Sequence, residues 1–400
     1  MNILLFTQLF YPNIFGGGEY IFYLLAKELV KRGHGVQVIT QRLRDTSKFE
    51  VVDGIKVHRV GTELVYSGTL PPTIGHNLQY LIQSIAKGLN ILRGGVDKTD
   101  IIHSNTYVPA LSGQFCSKLY HVPHVVTFHD VYQASDDRFW NLWQSHQSIS
   151  NIPFYASRLS KIVEKLVMKL DVSAFHTVSE ASMEDLRRFG VRKHIYVIPN
   201  GLDPSMYQVH LRDSESYTEN PTAVFVGRLV FYKNVEVVIR AFRKVIERLP
   251  LARLIIIGDG PHRGILEEEA RQLQDNVVFA GRVSHQKKIE YMSKSSFIVF
   301  PSLIEGFGIA VIEGFACRKP ILVSDVRPLS DIVKDNQTGY VISHLDVDSW
   351  ANRMIDLFED EEKQKILGEN AFSEFISKYN IENVAKQVES LYRNLLEKGN

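Results

Sequence analysis

Residues 297–317 read FIVFPSLIEGFGIAVIEGFAC, and the fold is decided here. Phe297 to Phe300 is a short run of aromatic and β-branched residues, the pattern of a buried strand. Leu303 to Gly308 is a loop with two glycines, and Ile309 to Phe315 continues as an apolar helix. Strand, glycine-bearing turn and helix in succession aim helix N-terminal amides at an anion, most often phosphate. Two carboxylates frame the turn. Glu305 sits beside the helix start, and Glu313 lies inside the helix among Ile309, Ala310, Val311, Ile312 and Phe315. A charge on so apolar a helix needs a partner. A pair of sugar hydroxyls would satisfy it, and so would a salt bridge to Arg318. On these residues alone both readings stay open.

The same alternation extends in both directions. After the stretch, strands are expected at Ile321–Ser324 and Tyr340–Ile342; before it, at Thr222–Val226, Arg253–Ile257 and Asn276–Ala280. The first half adds strands at Asn2–Thr7, Val36–Thr40, Lys56–Val60, Asp100–Ser104, His124–His129, Ser173–Val178 and Ile195–Ile198, with helices between them. Alternating strands and helices give a parallel sheet covered on both faces. A chain of 400 residues exceeds one ordinary core. The pattern breaks at Pro199-Asn200-Gly201-Leu202-Asp203, and a polar run over 204–221 reads as the linker. The expected class is α/β, with two Rossmann-like domains at 1–203 and 204–380 facing each other across a cleft.

Composition excludes several functions. Hydrophobic residues make up 44% and charged residues 23%, as in a water-soluble globular protein. The net charge of +1 divides into a mildly basic first half and an acidic second half, which argues against a general nucleic-acid binder. Cys116 and Cys317 are in no metal spacing and build no disulfide framework, so a reducing, cytoplasmic setting is expected. The opening MNILLFTQLFYP lacks a basic region and a small-residue cleavage site, and no uncharged apolar run is long enough to span a bilayer.

Polar groups collect where the strands end, the ligand side of such sheets. Gly16, Gly17 and Gly18 precede the first helix. A dinucleotide enzyme would place G-x-G-x-x-G there and an acid after the second strand; this chain has GGGEY, and Gln41-Arg42 after the strand, so a nicotinamide dehydrogenase is set aside. His129 and Asp130 follow a strand, where the imidazole can donate to a ligand oxygen or carry a proton, or simply be structural. Arg228 and Lys233 follow strand Thr222–Val226, placed to neutralise a diphosphate near the turn at 305–309. The turn Gly258-Asp259-Gly260-Pro261 reads as structural, and main-chain groups of Gly281-Arg282-Val283-Ser284 can meet a nucleobase edge. Asp346 and Asp348 have a metal-site spacing but directly precede a helix, so one of them is read as its N-cap. The helix over 154–170 is basic and amphipathic, and Phe139, Trp140 and Trp143 lie just before it. It is either a solvated face or a contact with an anionic membrane.

Together these features describe a nucleotide sugar held between two domains. The chain resembles the family-4 retaining glycosyltransferases of GT-B architecture. The resemblance rests on Glu305-GFGIAVI-Glu313, Gly227-Arg228 to Lys233, Gly16-Gly17-Gly18-Glu19, His129-Asp130 and Pro199 to Asp203, in the expected order. It implies that Arg228 and Lys233 hold the donor diphosphate and that Glu313 takes the ribose hydroxyls. Glu305, Gly306 and the amides of Phe307, Gly308 and Ile309 would hold the donor sugar and phosphate. Val283 would contact the base, Gly16 and Gly17 the donor phosphates, and His129 the transferred sugar. A last helix at 381–397 would return to the first domain. The implied reaction moves a hexosyl unit to a glycan or lipid-linked glycan of the cell envelope, at the inner face of the membrane, with no cofactor and no obligatory metal. A nucleotide-sugar epimerase and a non-catalytic nucleotide-sugar binding module are the alternatives.

Overall fold

The computed structural model describes every residue except 13–16, 65–73, 95–97, 132–133, 135–154, 208–219 and 399–400; the side chains of 155–160 and 274 are also outside the description. The chain forms two compact units. The first takes in Met1–Ser135, Pro153–Gly201 and Ile381–Asn400, and the second is built on Leu202–Asn380.

The first unit holds eight strands: β1 (Asn2–Phe6), β2 (Gly35–Leu43), β3 (Phe49–Val52), β4 (Ile55–Leu64), β5 (Ile101–Asn105), β6 (His124–Phe128), β7 (Ala174–Thr177) and β8 (Ile195–Val197). Their spatial order is β3-β4-β2-β1-β5-β6-β7-β8. All neighbours pair parallel except β3 and β4, an antiparallel hairpin absent from the sequence reading. Its turn is Asp53-Gly54, with φ of 49° and 79°. Two left-handed residues match the twist of a tight hairpin, and Asp-Gly is a preferred pair for it.

Strand β1 connects leftward to β2, while β4 to β5 and each step from β5 to β8 run rightward. Right-handed crossovers therefore put helix Gly17–Lys31 on one face and helices Ile74–Arg93, Val108–Tyr120, Tyr155–Met168 and Glu180–Arg188 on the other. Helix Gly17–Lys31 starts two residues before the sequence reading placed it, so Gly17 and Gly18 lie in its first turn. The last helix, Ile381–Lys398, packs against helix Gly17–Lys31. Arg32 holds it there through Glu389, with Nη2 to Oε2 at 2.6 Å.

A chain of hydrogen bonds also runs from this helix into the sheet. The Tyr392 hydroxyl lies 2.5 Å from His103 Nδ1, and His103 Nε2 lies 2.5 Å from Thr127 Oγ1. Thr127 Oγ1 lies 2.8 Å from His176 Nδ1, and His176 Nε2 lies 2.9 Å from the Ile198 carbonyl. A carbonyl only accepts, so His176 Nε2 carries the hydrogen and, in a neutral ring, Nδ1 accepts. Thr127 must then donate to His176 and accept from His103 Nε2, and Tyr392 must donate to His103 Nδ1. The whole chain has one sense. Burial holds His103 and His176 well below the usual imidazole range, His176 at about 4, in keeping with neutral rings.

The second unit has six parallel strands: β9 (Thr222–Val226), β10 (Arg253–Ile257), β11 (Val277–Gly281), β12 (Phe297–Phe300), β13 (Ile321–Ser324) and β14 (Gly339–Ile342), in the order β11-β10-β9-β12-β13-β14. The chain runs outward from β9 in one direction and from β12 in the other. The switch point of this sheet therefore falls between β9 and β12, where open α/β sheets bind ligands. A core cluster of this unit runs from Phe225 and Phe242 to the fully buried Trp350. The polar run read as a linker begins as a helical turn, and Tyr207 within it is buried.

Candidate functional site

The loops that leave β9 and β12 meet at the switch point. The first runs from Gly227 to Asn234. Its Gly227 N–H donates to Ile257 O at 3.0 Å, and its Leu229 N–H donates to Asp259 O at 3.1 Å. The turn at 258–261 backs it closely. A Cβ on Gly258 would stand 1.8 Å from the Gly227 carbonyl oxygen, at a φ of 134°, so no other residue fits. The Leu303 N–H donates to Tyr232 O at 2.8 Å and joins the two loops. Gly308 then turns into helix Ile309–Ala316 with a φ of 95°, and no side chain caps that helix. Its first amides are the orphan donors of a helix start. Phe307 is buried and meets the Tyr379 ring edge-on, centroids 6.0 Å apart, which anchors the turn from below.

Lys233 and Glu305 form an ion pair across the two loops, and the Ser302 hydroxyl donates to the same carboxylate oxygen at 3.3 Å. The sequence assigned these two side chains to different parts of a ligand; the structure joins them. Arg228 is exposed on the same loop as Lys233 and pairs with no acid among the described residues.

Glu313 is only 4% exposed. Its Oε1 accepts from Lys288 Nζ at 2.6 Å and from the Tyr207 hydroxyl at 3.2 Å. The salt bridge to Arg318 is overturned. Arg318 lies past the end of helix Ile309–Ala316, at a φ of 57°, and pairs instead with Glu369, its guanidinium 3.6 Å from the Phe372 ring centroid. Lys288 and Tyr207 are thus site residues that sequence reasoning missed. One signal existed: in helix His285–Lys294 the buried residues are Ile289, Met292 and Ser293, and Lys288 lies one turn before Met292.

Val283 is half-buried between β11 and helix His285–Lys294, and Gly306 is half-buried beside Phe307. Asp346 caps its helix, accepting from Ser349 N at 2.9 Å, and Asp348 pairs with Lys244. No cluster of three or more His, Cys, Asp or Glu suited to a metal occurs among the described residues.

In the first unit the His129 ring lies against the first turn of helix Gly17–Lys31; a Cβ on Gly18 would stand 3.5 Å from His129 Cδ2. His129 Nε2 is shielded from solvent and has no hydrogen-bond partner among the described residues. Burial, with a smaller push from His176, lowers its pKa to about 4. The ring is therefore neutral at ordinary pH and suited to hydrogen bonding rather than to carrying charge. Gly16, and Phe139, Trp140 and Trp143, lie outside the described residues.

Two family models cover most of the chain. "Glycosyltransferase Family 4" matches residues 15–206, and "Glycosyl transferases group 1" matches residues 208–374. An uncharacterized glycosyltransferase of Methanocaldococcus jannaschii is 28% identical over 417 aligned positions, covering 99% of each chain. Sucrose-phosphate synthase from Thermosynechococcus elongatus superposes with a TM-score of 0.77 at 21% identity, covering 99% of each chain. Anabaena HepE, solved in complex with UDP-glucose, superposes with a TM-score of 0.71 at 18% identity, over 98% of this chain and 100% of that one. Two Rossmann-like units of this kind are the GT-B architecture. The chain belongs to the family-4, group 1 glycosyltransferases.

Proposed function

We propose that this glycosyltransferase moves a hexosyl unit from a nucleotide diphosphate sugar to a hydroxyl of a glycan or lipid-linked glycan, with retention at the anomeric carbon and no obligatory metal. One observation carries the reading: Lys233, Glu305 and an uncapped helix start converge at the switch point of the second sheet, with Arg228 on the same loop. Arg228 and Lys233 would hold the diphosphate with the amides of Phe307, Gly308 and Ile309. Glu305 and Gly306 would hold the sugar. Both recorded bonds to Glu313 fall on Oε1, which leaves Oε2 to accept from ribose hydroxyls. Val283 would meet the base through its main chain. Gly16 and Gly17 are assigned to the donor phosphates, and His129 Nε2 to a hydroxyl of the transferred sugar.

In this reaction the bond from the anomeric carbon to the β-phosphate oxygen breaks. The acceptor oxygen bonds on the same face, and its proton passes to the departing phosphate. The work asked of the protein is to stabilise charge building on the diphosphate, which fixed cations and oriented amides do well. The HepE complex makes UDP-glucose the first donor to try, with the reaction set in the cytoplasm. The test is transfer from a panel of UDP- and GDP-hexoses, with the product anomer read by NMR and an arm containing EDTA. A lost signal with Lys233→Ala and Glu305→Ala, both folded, supports the site. Near-normal turnover in both would refute it. Release of altered nucleotide sugar without acceptor would point to an epimerase.

A further inference from the structure

The three helices Ile74–Arg93, Val108–Tyr120 and Tyr155–Met168 are neighbours in one layer on one face of the first sheet. Each turns apolar side chains outward. Leu78 and Ile82, Phe115 and Leu119, and Ile162 and Leu166 each leave more than half their surface in solvent. Within each pair the spacing is four residues, so the exposed groups form a stripe along each helix. Single exposed apolar residues need no explanation, but aligned stripes on adjoining helices do.

The charges of these three helices are one-sided, whereas the fourth helix on this face, Glu180–Arg188, carries both signs. Helix Ile74–Arg93 contains Lys87 and Arg93 and no acid, and helix Val108–Tyr120 contains Lys118 and no acid. The sole acid of helix Tyr155–Met168 is Glu164, which is fully buried, with the Tyr107 hydroxyl 3.4 Å away. Lys165 and Lys169 are exposed on the side of Leu166 and pair with no acid among the described residues. Lys118 is the exception, held by Asp171 just past the layer.

We propose that the outer face of this three-helix layer docks on an anionic lipid surface. Apolar stripes interspersed with unpaired lysines are what a headgroup region selects: the side chains enter the acyl boundary and the ammonium groups stay with the phosphates. A protein partner of like shape would have to bring acids to match these lysines, whereas an anionic bilayer supplies them everywhere. The helix read from sequence as a basic amphipathic element is one third of this surface. The proposal does not depend on the transfer reaction and can fail or hold apart from it.

The full chain is sedimented with vesicles of pure phosphatidylcholine and of phosphatidylcholine mixed with phosphatidylglycerol, at low and high NaCl. The expected result is binding to the anionic vesicles only, weakened by salt. Ile82→Asp with Leu166→Asp, and separately Lys165→Glu with Lys169→Glu, each lower the partition coefficient at least tenfold, about 1.4 kcal/mol. Leu345→Asp, an exposed apolar position of the second unit, leaves it unchanged. Thermal melts confirm that each variant is folded. Equal binding to both vesicle types, or unchanged binding by both double variants, overturns the proposal. So does concentration-dependent self-association, seen by analytical ultracentrifugation and abolished by Ile82→Asp with Leu166→Asp, because the face would then be an interface between copies.

Discussion

Replacing Lys288 with Met tests the second unit's site most directly. Glu313 is 4% exposed, and its Oε1 depends on two donors, Lys288 Nζ at 2.6 Å and the Tyr207 hydroxyl at 3.2 Å. Lys288→Met keeps the length of the side chain and removes its charge. Stripping one partner from a fully buried ion pair costs ~3–5 kcal/mol, because the other charge remains behind. The Lys288 side chain is 20% exposed and Tyr207 stays, so a cost of ~2 kcal/mol is expected. For a unit of this size that corresponds to a fall in Tm of roughly 4–8 °C. The double variant Lys288→Met, Glu313→Gln removes the stranded charge and should regain most of the loss. It should not regain donor binding, because Gln cannot accept two ribose hydroxyls through a second carboxylate oxygen. Calorimetry of the wild type, both single variants and the double variant gives the stability cycle, and titration with UDP-glucose gives the binding cycle. An unchanged Tm in Lys288→Met would refute the electrostatic reasoning. Donor binding by the double variant at wild-type strength would refute the role given to Glu313.

Arg228→Ala or Lys233→Ala should lower kcat by about 10²–10³-fold, the usual cost of one preorganised charge-stabilising donor, measured as hexosyl transfer at saturating donor. Gly308→Ala places a Cβ 2.7 Å from Leu329 Cδ2 at a φ of 95°. It should destabilise the second unit by ~2 kcal/mol in urea melts. Stability should fall as pH drops from about 6.5 towards 4. His124 and His176 are held by burial at about 3 and about 4. The unfolded chain therefore binds more protons in that window, and protons pull the equilibrium towards it. Tm measured against pH checks the sign, and His124→Gln should flatten part of the slope. Tyr392→Phe removes the donor to His103 Nδ1 and leaves that buried atom unpaired, at a cost of ~1–3 kcal/mol. Faster amide exchange across 381–398 would report it.

Much of the fold was legible because its signals are local. Phe297–Phe300, Ile321–Ser324 and Arg253–Ile257 are short apolar runs ended by turn residues, and all three are strands with those bounds. Gly258 and Gly260 could be placed in a turn from sequence, but the pressing of Gly258 on Gly227 and of Gly260 on Leu229 could not. The hairpin strand Phe49–Val52 was missed because none of its residues is buried, so it carries no core pattern, although Asp53-Gly54 announced the turn. The partners of Glu313 were out of reach for a different reason. Lys288 and Tyr207 lie 25 and 106 residues away, and only tertiary packing brings them to one oxygen. The helix periodicity that exposed Glu313 as a charge in need of a partner says nothing about which distant cation arrives.

The one-way relay from Tyr392 to the Ile198 carbonyl has a consequence for anyone who would cut this protein apart. Its first donor lies close to the C-terminal end of the chain and its last acceptor just ahead of Gly201, where the first unit breaks off. A polypeptide stopping at Gly201 would carry every strand of that sheet and still lack the hydroxyl that orients its inner imidazoles. The smallest autonomous version of the first half is therefore a two-segment object, best obtained by grafting 381–398 back through a flexible tether.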